Sequence, residues 1–359
     1  FTLTTAVGCG LKEHEQALLS LRSGLSYRDS DFINLDTYIG RVKRIEDSPL
    51  VARLKEFDCR NNRLAQLALQ QDDFEQSVEE AKNRYGPERI GLFLGTSTSG
   101  MLQTEMAYRH RDPVTGDLPK TFKYKETQNN FSVAAFVQKY LKLEGPALVI
   151  STACSSSAKV FAEASRFIES GFCDAAIVGG VDSLCQTTLY GFSSLELLSP
   201  KPCRPADSDR DGLSIGEAGG YALLEKPENG DFKNQIAFLG YGESSDAYHM
   251  TSPQPDGRGM AQSMQMALEC SELKANQISY INLHGTATQV NDKSEDKAVV
   301  KVFGSSTPCS STKGWTGHTL GAAGIAEALI CAICLNNNFI PGSLNTRVLD
   351  SGFSSNIIL

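Results

Sequence analysis

Positive charge and long apolar runs are both scarce in this sequence. Its 359 residues include 34 Lys and Arg against 42 Asp and Glu, which gives a formal net charge of −8. General binding to nucleic acid or to an anionic membrane is therefore disfavoured. No apolar run approaches the ~20 residues of a membrane-spanning helix, because the longest candidate, 326–335, is too short. We expect neither a membrane span nor a nucleic-acid partner.

Motifs for cofactors and metals are also missing. Segment 8–10, Gly-Cys-Gly, lacks the third glycine of a dinucleotide-binding loop. Segment 207–212 begins like a calcium loop, but the glutamate required at the twelfth position falls one residue short, at Glu217. Cys331 and Cys334 lie on an apolar helical pattern without a second cysteine pair. The sequence therefore predicts no metal and no dissociable cofactor.

Cysteine, by contrast, is plentiful, with ten residues scattered through apolar or strand-like segments. In a chain of this length without an evident secretory context, such cysteines are typical of free thiols in a reducing compartment. We therefore expect a cytoplasmic protein. The chain begins with Phe1 rather than Met, so it carries no information about a targeting segment.

Strands and helices alternate along the chain, and its two halves read alike. Helical patterns at 131–143, 154–169, 260–273, 294–302 and up to 335 separate Val/Ile-rich runs. These runs predict strands at 90–94, 147–151, 175–178, 221–224, 236–239, 278–283 and 356–359. Continuous apolar strands are typical of buried sheets in α/β proteins. We predict a duplicated α/β architecture with halves 1–230 and 231–359, joined by a polar linker at 227–235.

Three reactive side chains lie where predicted strands end. Cys154 follows the run 147–151, His284 follows 278–283, and His318 lies between Gly317 and Gly321. Side chains at the ends of several strands tend to converge on one site. A cysteine with two separate histidines suggests nucleophilic acyl chemistry rather than a metal centre. The alternatives are a small buried cysteine and two polar histidines with structural partners.

The neighbours of Cys154 are small, and the apolar spacing after it predicts a helix. Cys154 is therefore expected at a helix N-terminus. There the helix dipole and the free N–H groups favour the thiolate and can hold an oxyanion.

The chain resembles the β-ketoacyl-acyl-carrier-protein synthases of the two-histidine (type I/II) branch. The resemblance rests on ALVISTACSSSAKVF, ISYINLHGTATQVND and CSSTKGWTGHTLGAAGIAEA, with further matches in CDAAIVGGVDSL and SPKPCRPADSDRDGLSIGEAGGYALLEK. It covers nearly the whole chain. It implies a duplicated thiolase-like fold of five layers, αβαβα. It also implies an acyltransferase without a cofactor of its own, because the phosphopantetheine arm arrives on the carrier protein.

The resemblance also assigns roles to residues. Cys154 would be the acylated nucleophile, and His284 and His318 would stabilise the enolate formed when a malonyl group loses carbon dioxide. In the resembling enzymes a lysine pairs with a glutamate and helps to orient the second histidine, which gives Lys313 a supporting catalytic role and places Glu327 behind it. On the sequence alone, Glu327 could equally lie on the solvated face of its helix.

The implied reaction is a decarboxylating Claisen condensation in fatty acid chain elongation. The alternatives are a polyketide or polyene synthase with the same chemistry, a non-catalytic partner subunit like the chain-length factors, and a Cys–His hydrolase. Chain-length factors typically lack the nucleophile, so Cys154 argues against that alternative. Family members normally continue into an Asn-Ser-Phe-Gly-Phe-Gly-Gly-type loop that supplies an oxyanion donor and a gating phenylalanine. Because this sequence stops at Leu359, we expect either a truncated chain or an incomplete record.

Two partners are expected. We expect a homodimer, because resembling enzymes pair through the edge strand that follows the active-site helix, here predicted at 175–178. Their carrier proteins are acidic, so a local basic rim would steer them despite the net charge of −8. The candidate carrier-binding residues are Arg60, Arg63, Lys120, Lys123 and Lys125. The alternative for all five is an ordinary solvated surface.

Overall fold

The computed structural model describes residues 1–31, 33–226, 235–249 and 252–359. The strands of these residues are β1 (Thr2–Thr5), β2 (Gly8–Cys9), β3 (Ser26–Tyr27), β4 (Tyr38–Gly40), β5 (Ile90–Gly95), β6 (Ala147–Ile150), β7 (Ala175–Asp182), β8 (Ile215–Gly216), β9 (Ala218–Glu225), β10 (Ile281–Asn282), β11 (Pro308–Ser310) and β12 (Asn356–Ile357). The helices are α1 (Leu11–Leu19), α2 (Arg60–Leu69), α3 (Phe74–Tyr85), α4 (Met101–Arg109), α5 (Ser132–Leu141), α6 (Ser156–Glu169), α7 (Gln186–Ser194), α8 (Arg258–Ser271), α9 (Gln289–Phe303), α10 (Lys313–Thr316) and α11 (Ala323–Asn337).

The largest sheet has the strand order β2-β1-β9-β7-β5-β6. β5 runs parallel to both β6 and β7, whereas β9 is antiparallel to β7 and β1. All eight residues of β7 are buried, and β7 is paired on both sides, by β5 and β9. The prediction that 175–178 forms the edge strand of a dimer is therefore wrong. The edge strand next to Cys154 is β6, where Leu148 is 37% exposed.

The second half contributes the parallel sheet β10-β11-β12, and a small third sheet has the order β3-β4-β8. The strands predicted at 278–283 and 356–359 exist but are shorter than expected. The strand predicted at 236–239 is wrong, because this segment is irregular and has no ladder partner among the described residues. The linker predicted at 227–235, and with it the boundary between 230 and 231, lies outside the described residues except for the exposed Gln235.

The described elements stack in five layers, which confirms the αβαβα architecture. α2, α3 and α5 cover one face of the six-stranded sheet through residues such as Leu64 and Val133. α6 and α11 cover the other face, with Val160 and Ile325 in the shared core. α8 and α9 pack on the far side of the second sheet, where Val299 is fully buried. The central helices therefore lie between two sheets, and the strand ends around them form the site.

Segment Leu320–Asn337, which contains α11, is long and apolar enough to cross a membrane by length and composition, with a mean hydropathy of 1.5 over 18 residues. The prediction that no apolar run approaches this length is therefore wrong for this segment. A helix that is apolar on all sides is typical of a central core position, and 61% of the segment is buried inside the protein.

Candidate active site

The structure brings Cys154, His284 and His318 together. One side-chain heteroatom of each lies within 4.8 Å of those of the other two. The two imidazole rings are 5.1 Å apart between centroids and almost perpendicular, at 89°. All three residues line a pocket of about 350 Å³ whose apolar walls include Phe192 and Leu213. The predicted convergence of the three side chains is therefore present, although His318 follows helix α10 and not the end of a strand.

Cys154 lies in a tight turn between β6 and α6. Ala153, just before it, has a φ of 53°, and α6 begins at Ser156. A side chain at Gly95 would come within 2.4 Å of the Ser157 nitrogen, so this glycine lets the start of α6 approach β5 closely. The position at a helix N-terminus is as expected.

A strained backbone residue lies close to each of the three reactive residues. Ala153, Ala287 and Leu320 all adopt positive φ angles, of 53°, 65° and 56°. Each lies within three positions of a reactive side chain. A left-handed non-glycine residue costs about 1–3 kcal/mol and persists only where the surroundings enforce it. Tertiary contacts therefore hold this site in place.

Burial raises the pKa of the Cys154 thiol to about 11, and the positive charge of Lys313 only partly opposes it. The helix N-terminus was expected to favour the thiolate. In the resting protein desolvation outweighs that effect, so Cys154 is a protonated thiol at neutral pH.

His284 is held by Lys313, whose Nζ lies 3.4 Å from the imidazole Nδ1. An ammonium group can only donate, so Nδ1 accepts and the ring proton is left on Nε2. Lys313 in turn forms an ion pair with Glu327. The resemblance implied that the lysine orients the second histidine, His318, but the hydrogen bond is to His284. Glu327 faces Lys313 and is only 20% exposed, so the alternative of a solvated helix face is wrong.

His318 is oriented by the backbone. The Leu320 N–H donates to His318 Nδ1 over 3.0 Å, which leaves the ring proton on Nε2. The His318 N–H donates to the Ser214 carbonyl, and its carbonyl accepts from the Gly216 N–H. His318 thus forms an isolated parallel β-bridge with Ile215 of β8.

Both imidazoles are neutral at physiological pH. Burial, followed by the charge of Lys313, lowers the pKa of His318 to about 3. Burial, Lys313 and His318 in that order hold the pKa of His284 well below its usual 6.5. Two uncharged N–H donors therefore converge near one sulfur atom.

Two buried carboxylates in the site were not found from the sequence. Glu295 accepts the N–H groups of His284 and Gly285, each at 2.7 Å, and burial raises its pKa to about 7. Asp182, at the end of β7, accepts the Gly321 N–H at 2.6 Å. The only sequence signals were an acidic residue on the helix after His284 and an aspartate directly after an apolar strand.

The predicted carrier-binding residues differ in how exposed they are. Arg60 is only 7% exposed, and its Nε and Nη2 donate to the buried Glu217 over 2.5 and 2.8 Å. The prediction that Arg60 lies on an exposed basic rim is therefore wrong. Arg63 is 30% exposed and pairs with both carboxylate oxygens of Asp58.

The lysine cluster lies on the surface. Lys120, Lys123 and Lys125 are all exposed, and Lys125 belongs to the π-helical turn Tyr124–Gln128. These three lysines keep the accessibility that a docking surface requires.

The donor set of Cys154, His284 and His318 could also hold a metal ion, because thiolate and imidazole are common zinc ligands. In this protein both Nδ1 atoms already accept hydrogen bonds, so both Nε2 atoms carry the ring proton and have no lone pair for a metal ion. The thiol is also protonated. All ten cysteines lie in the described ranges and are free.

Comparison with known proteins places this geometry in context. Residues 60–229 match the model of the beta-ketoacyl synthase N-terminal domain, and residues 237–347 match that of the C-terminal domain. The 3-oxoacyl-[acyl-carrier-protein] synthase 2 of Synechocystis sp. is 30% identical over 375 residues, which cover 95% of this chain and 85% of that protein. The protein of the same name from Vibrio cholerae is 29% identical, covering 99% of this chain and 89% of that protein.

Among solved structures, a ketosynthase (ApeO) in complex with its chain length factor (ApeC) from Xenorhabdus doucetiae superposes with a TM-score of 0.88. It is 37% identical, and the match covers 99% of this chain and 89% of that one. Both domain models, near-full-length relatives and a solved structure thus agree with the geometry of the site. The chain belongs to the β-ketoacyl synthase family.

Proposed function

We propose that this protein is a 3-oxoacyl-[acyl-carrier-protein] synthase that extends an acyl chain by two carbons in fatty acid elongation. The observation that carries the proposal is the pair of neutral imidazoles, His284 and His318, each with Nδ1 occupied from behind. Both therefore present Nε2–H as a donor in the pocket that contains the Cys154 sulfur.

The first step is acyl transfer to Cys154. The sulfur attacks the thioester carbonyl of the acyl-carrier, the new C–S bond forms, and the bond to the pantetheine sulfur breaks. The thiol proton leaves with the pantetheine thiol. Neither histidine can accept it, because both Nδ1 atoms already accept hydrogen bonds and both Nε2 atoms carry protons. The start of α6 offers its free N–H groups to the carbonyl oxygen in this step.

The second step is decarboxylation of the malonyl-carrier. The bond to the carboxylate breaks, carbon dioxide leaves, and the electron pair passes into an enolate whose oxygen becomes negative. Two preorganised N–H donors in a desolvated pocket stabilise that oxygen. The enolate carbon then attacks the acyl-Cys154 thioester, a C–C bond forms, and the cysteine sulfur leaves as a thiolate that takes up a proton. The product is a 3-oxoacyl-carrier.

Lys313 and Glu327 support this chemistry from behind His284. The ion pair holds the lysine beside the ring, where its ammonium donates to Nδ1 and fixes the tautomer. We assign Lys313 a supporting catalytic role and Glu327 the role of holding it. No cofactor is required in this scheme, because the phosphopantetheine arm belongs to the carrier.

The test is mass spectrometry of the protein after incubation with acyl-carrier, alongside release of labelled carbon dioxide from malonyl-carrier. Cys154→Ala should abolish the adduct and chain extension. Cys173→Ala, which replaces a buried thiol two residues before β7, serves as the matched control. The double variant H284A/H318A should lose decarboxylation but still be acylated. Decarboxylation at the wild-type rate in that double variant would reject the mechanism.

A second candidate is the ketosynthase subunit of a polyketide pair, since the similar Xenorhabdus structure holds a ketosynthase with its chain length factor. Both candidates need a dimer, and we propose that it forms along β6, whose outer edge is free of ladder partners among the described residues. Leu148→Lys should then give a monomer in light scattering, because charge on an edge strand opposes pairing. A wild-type chain that is monomeric until a homologous subunit is added would favour the second candidate.

We further propose that the halves 1–230 and 231–359 each supply part of the site. Cys154 comes from the first half, and both histidines come from the second. Lys120, Lys123 and Lys125, with Arg63, form the proposed docking surface for the acidic carrier. The ten free thiols support a cytoplasmic location.

A further inference from the structure

Asp182 is a fully buried carboxylate at the C-terminal end of β7. Among the described residues it forms no ion pair, and hydrogen-bond donors surround it instead. These donors are Thr96 Oγ1, the N–H and hydroxyl of Ser97, the N–H and hydroxyl of Thr98, and the Gly321 N–H. Charge-assisted hydrogen bonds of this kind are strong, and here they take the place of a neighbouring cation.

Both oxygens of Asp182 accept from the loop after β5, and Oδ2 also accepts from the segment that follows His318. Oδ1 accepts from Thr96 and Thr98 in the loop after β5, with distances of 2.7–2.9 Å. Oδ2 accepts the Gly321 N–H at 2.6 Å. One carboxylate therefore links the ends of β5 and β7 to the segment that follows His318.

The turn that Asp182 holds is the one that orients His318. Leu320 has a φ of 56°, and in this strained conformation its N–H points at His318 Nδ1, 3.0 Å away. The next N–H, from Gly321, is the one that Asp182 accepts. The turn has little free space, because a side chain at Gly321 would come within 2.8 Å of both Asp182 Oδ2 and the Ser97 nitrogen.

We propose that Asp182 is a positioning residue for His318, which anchors the strained turn so that the Leu320 N–H keeps the His318 ring proton on Nε2. The inference rests on the proposed function, because the Nε2–H donor is what the enolate oxygen needs. A simpler alternative is that Asp182 only clamps the ends of β5 and β7 together. The two roles differ in whether the tautomer of the His318 ring changes when the Asp182 carboxylate is altered.

The test compares D182N with T96V. An asparagine can keep an oxygen toward the Thr96 and Thr98 donors, but its amide group then faces the Gly321 N–H and cannot accept from it. The same amide group faces Ser97, whose N–H keeps Oδ1 as acceptor and whose hydroxyl can turn to accept from the amide. T96V removes a hydrogen bond to the same carboxylate, over 2.7 Å, without touching the Gly321 side. It is therefore a matched control for damage to the clamp. D182E is the conservative variant that keeps the charge.

Three quantities are measured on each variant: the rate of malonyl-carrier decarboxylation, the rate of Cys154 acylation, and the ¹⁵N shifts of labelled histidine. The chain has only five histidines, so the spectrum can be assigned with H318A. We expect D182N to lower decarboxylation by up to about 10²-fold, as for loss of one oxyanion donor, with acylation little changed. The His318 signals should move toward the Nδ1–H tautomer in D182N and stay at Nε2–H in T96V. D182E should recover part of the decarboxylation rate.

Several results would overturn the proposal. One is a folded D182N protein whose His318 shifts and decarboxylation-to-acylation ratio match those of T96V. Another is failure of both Asp182 variants to fold while T96V folds, since Asp182 would then serve the fold alone. An Nδ1–H tautomer of His318 in the wild type would exclude the hydrogen bond from the Leu320 N–H, on which the proposal depends. A wild type that does not decarboxylate malonyl-carrier would reject the proposed function instead, and the histidine shifts would still report on Asp182.

Discussion

Replacement of Lys313 by methionine separates the chemistry of this site from its stability. Methionine is similar in length and apolar, so it fills the space of a side chain that is only 3% exposed. The change removes the donor to His284 Nδ1 and leaves the Glu327 carboxylate without its cation. Two different losses are therefore expected. One concerns the tautomer of the His284 ring, and the other concerns the free energy of unfolding.

The catalytic loss follows from the hydrogen bond. A hydrogen bond to a charged group contributes about 1.5–3 kcal/mol, and each 1.36 kcal/mol corresponds to a factor of ten in rate. If the bond serves only to keep Nε2–H toward the enolate oxygen, K313M should slow decarboxylation by about 10- to 10²-fold. Acylation of Cys154 should change much less, because neither imidazole accepts the thiol proton.

The stability loss follows from the ion pair. Removing one partner of a buried pair costs about 3–5 kcal/mol, mostly because the other charge is left uncompensated. Burial already raises the pKa of Glu327, and Lys313 is what opposes that rise. In K313M the carboxyl group should therefore take up a proton, which limits the cost. The second change, E327Q, removes the residual charge.

The assay is a double-mutant comparison of the wild type, K313M, E327Q and K313M/E327Q. Urea unfolding gives the free energies, and labelled carbon dioxide gives the rates. We expect the double variant to regain most of the stability that K313M loses, while decarboxylation remains slow. Recovery of the decarboxylation rate together with stability would refute the reasoning, because the lysine would then act only through the fold.

Three further outcomes are expected. Because burial lowers the pKa of His318 from 6.5 to about 3, the unfolded chain binds more protons between these values; the free energy of unfolding should therefore rise with pH across that window, and less steeply in H318A. A steeper rise in H318A would contradict this. Charge reversal at Lys120, Lys123 and Lys125 should raise the KM for carrier-bound substrate but not for short pantetheine thioesters, and the wild type should approach the variant as salt is added; unchanged salt dependence would place docking elsewhere. Arg60→Met should leave carrier KM unchanged and lower the free energy of unfolding by about 3–5 kcal/mol, since it strands a buried carboxylate; an altered carrier KM in a stable variant would restore Arg60 to the docking surface.

The reactive residues could be predicted because each lies in a short motif of its own. Cys154 needs small neighbours and a following helix, and both are visible within fifteen residues of sequence. His284 and His318 likewise sit beside small residues at the ends of apolar runs. The orientation of the rings could not be predicted in this way. The donor on His284 comes from Lys313, 29 positions away, and the anchor of the His318 turn comes from Asp182, 139 positions away from Gly321.

The sequence by itself determined the family, the layered α/β architecture and the three side chains that meet in the site, Cys154, His284 and His318, because these depend on local pattern and residue chemistry. The tertiary structure alone decided which strand is an edge and which charges are buried. Strand 175–178 has the composition of an exposed edge or of a central strand, and only its pairing with β5 and β9 makes it central. Arg60 looks like a surface charge until Glu217, 157 positions later, is brought against it. Burial and pairing arise from contacts between distant segments, and a local pattern does not encode them.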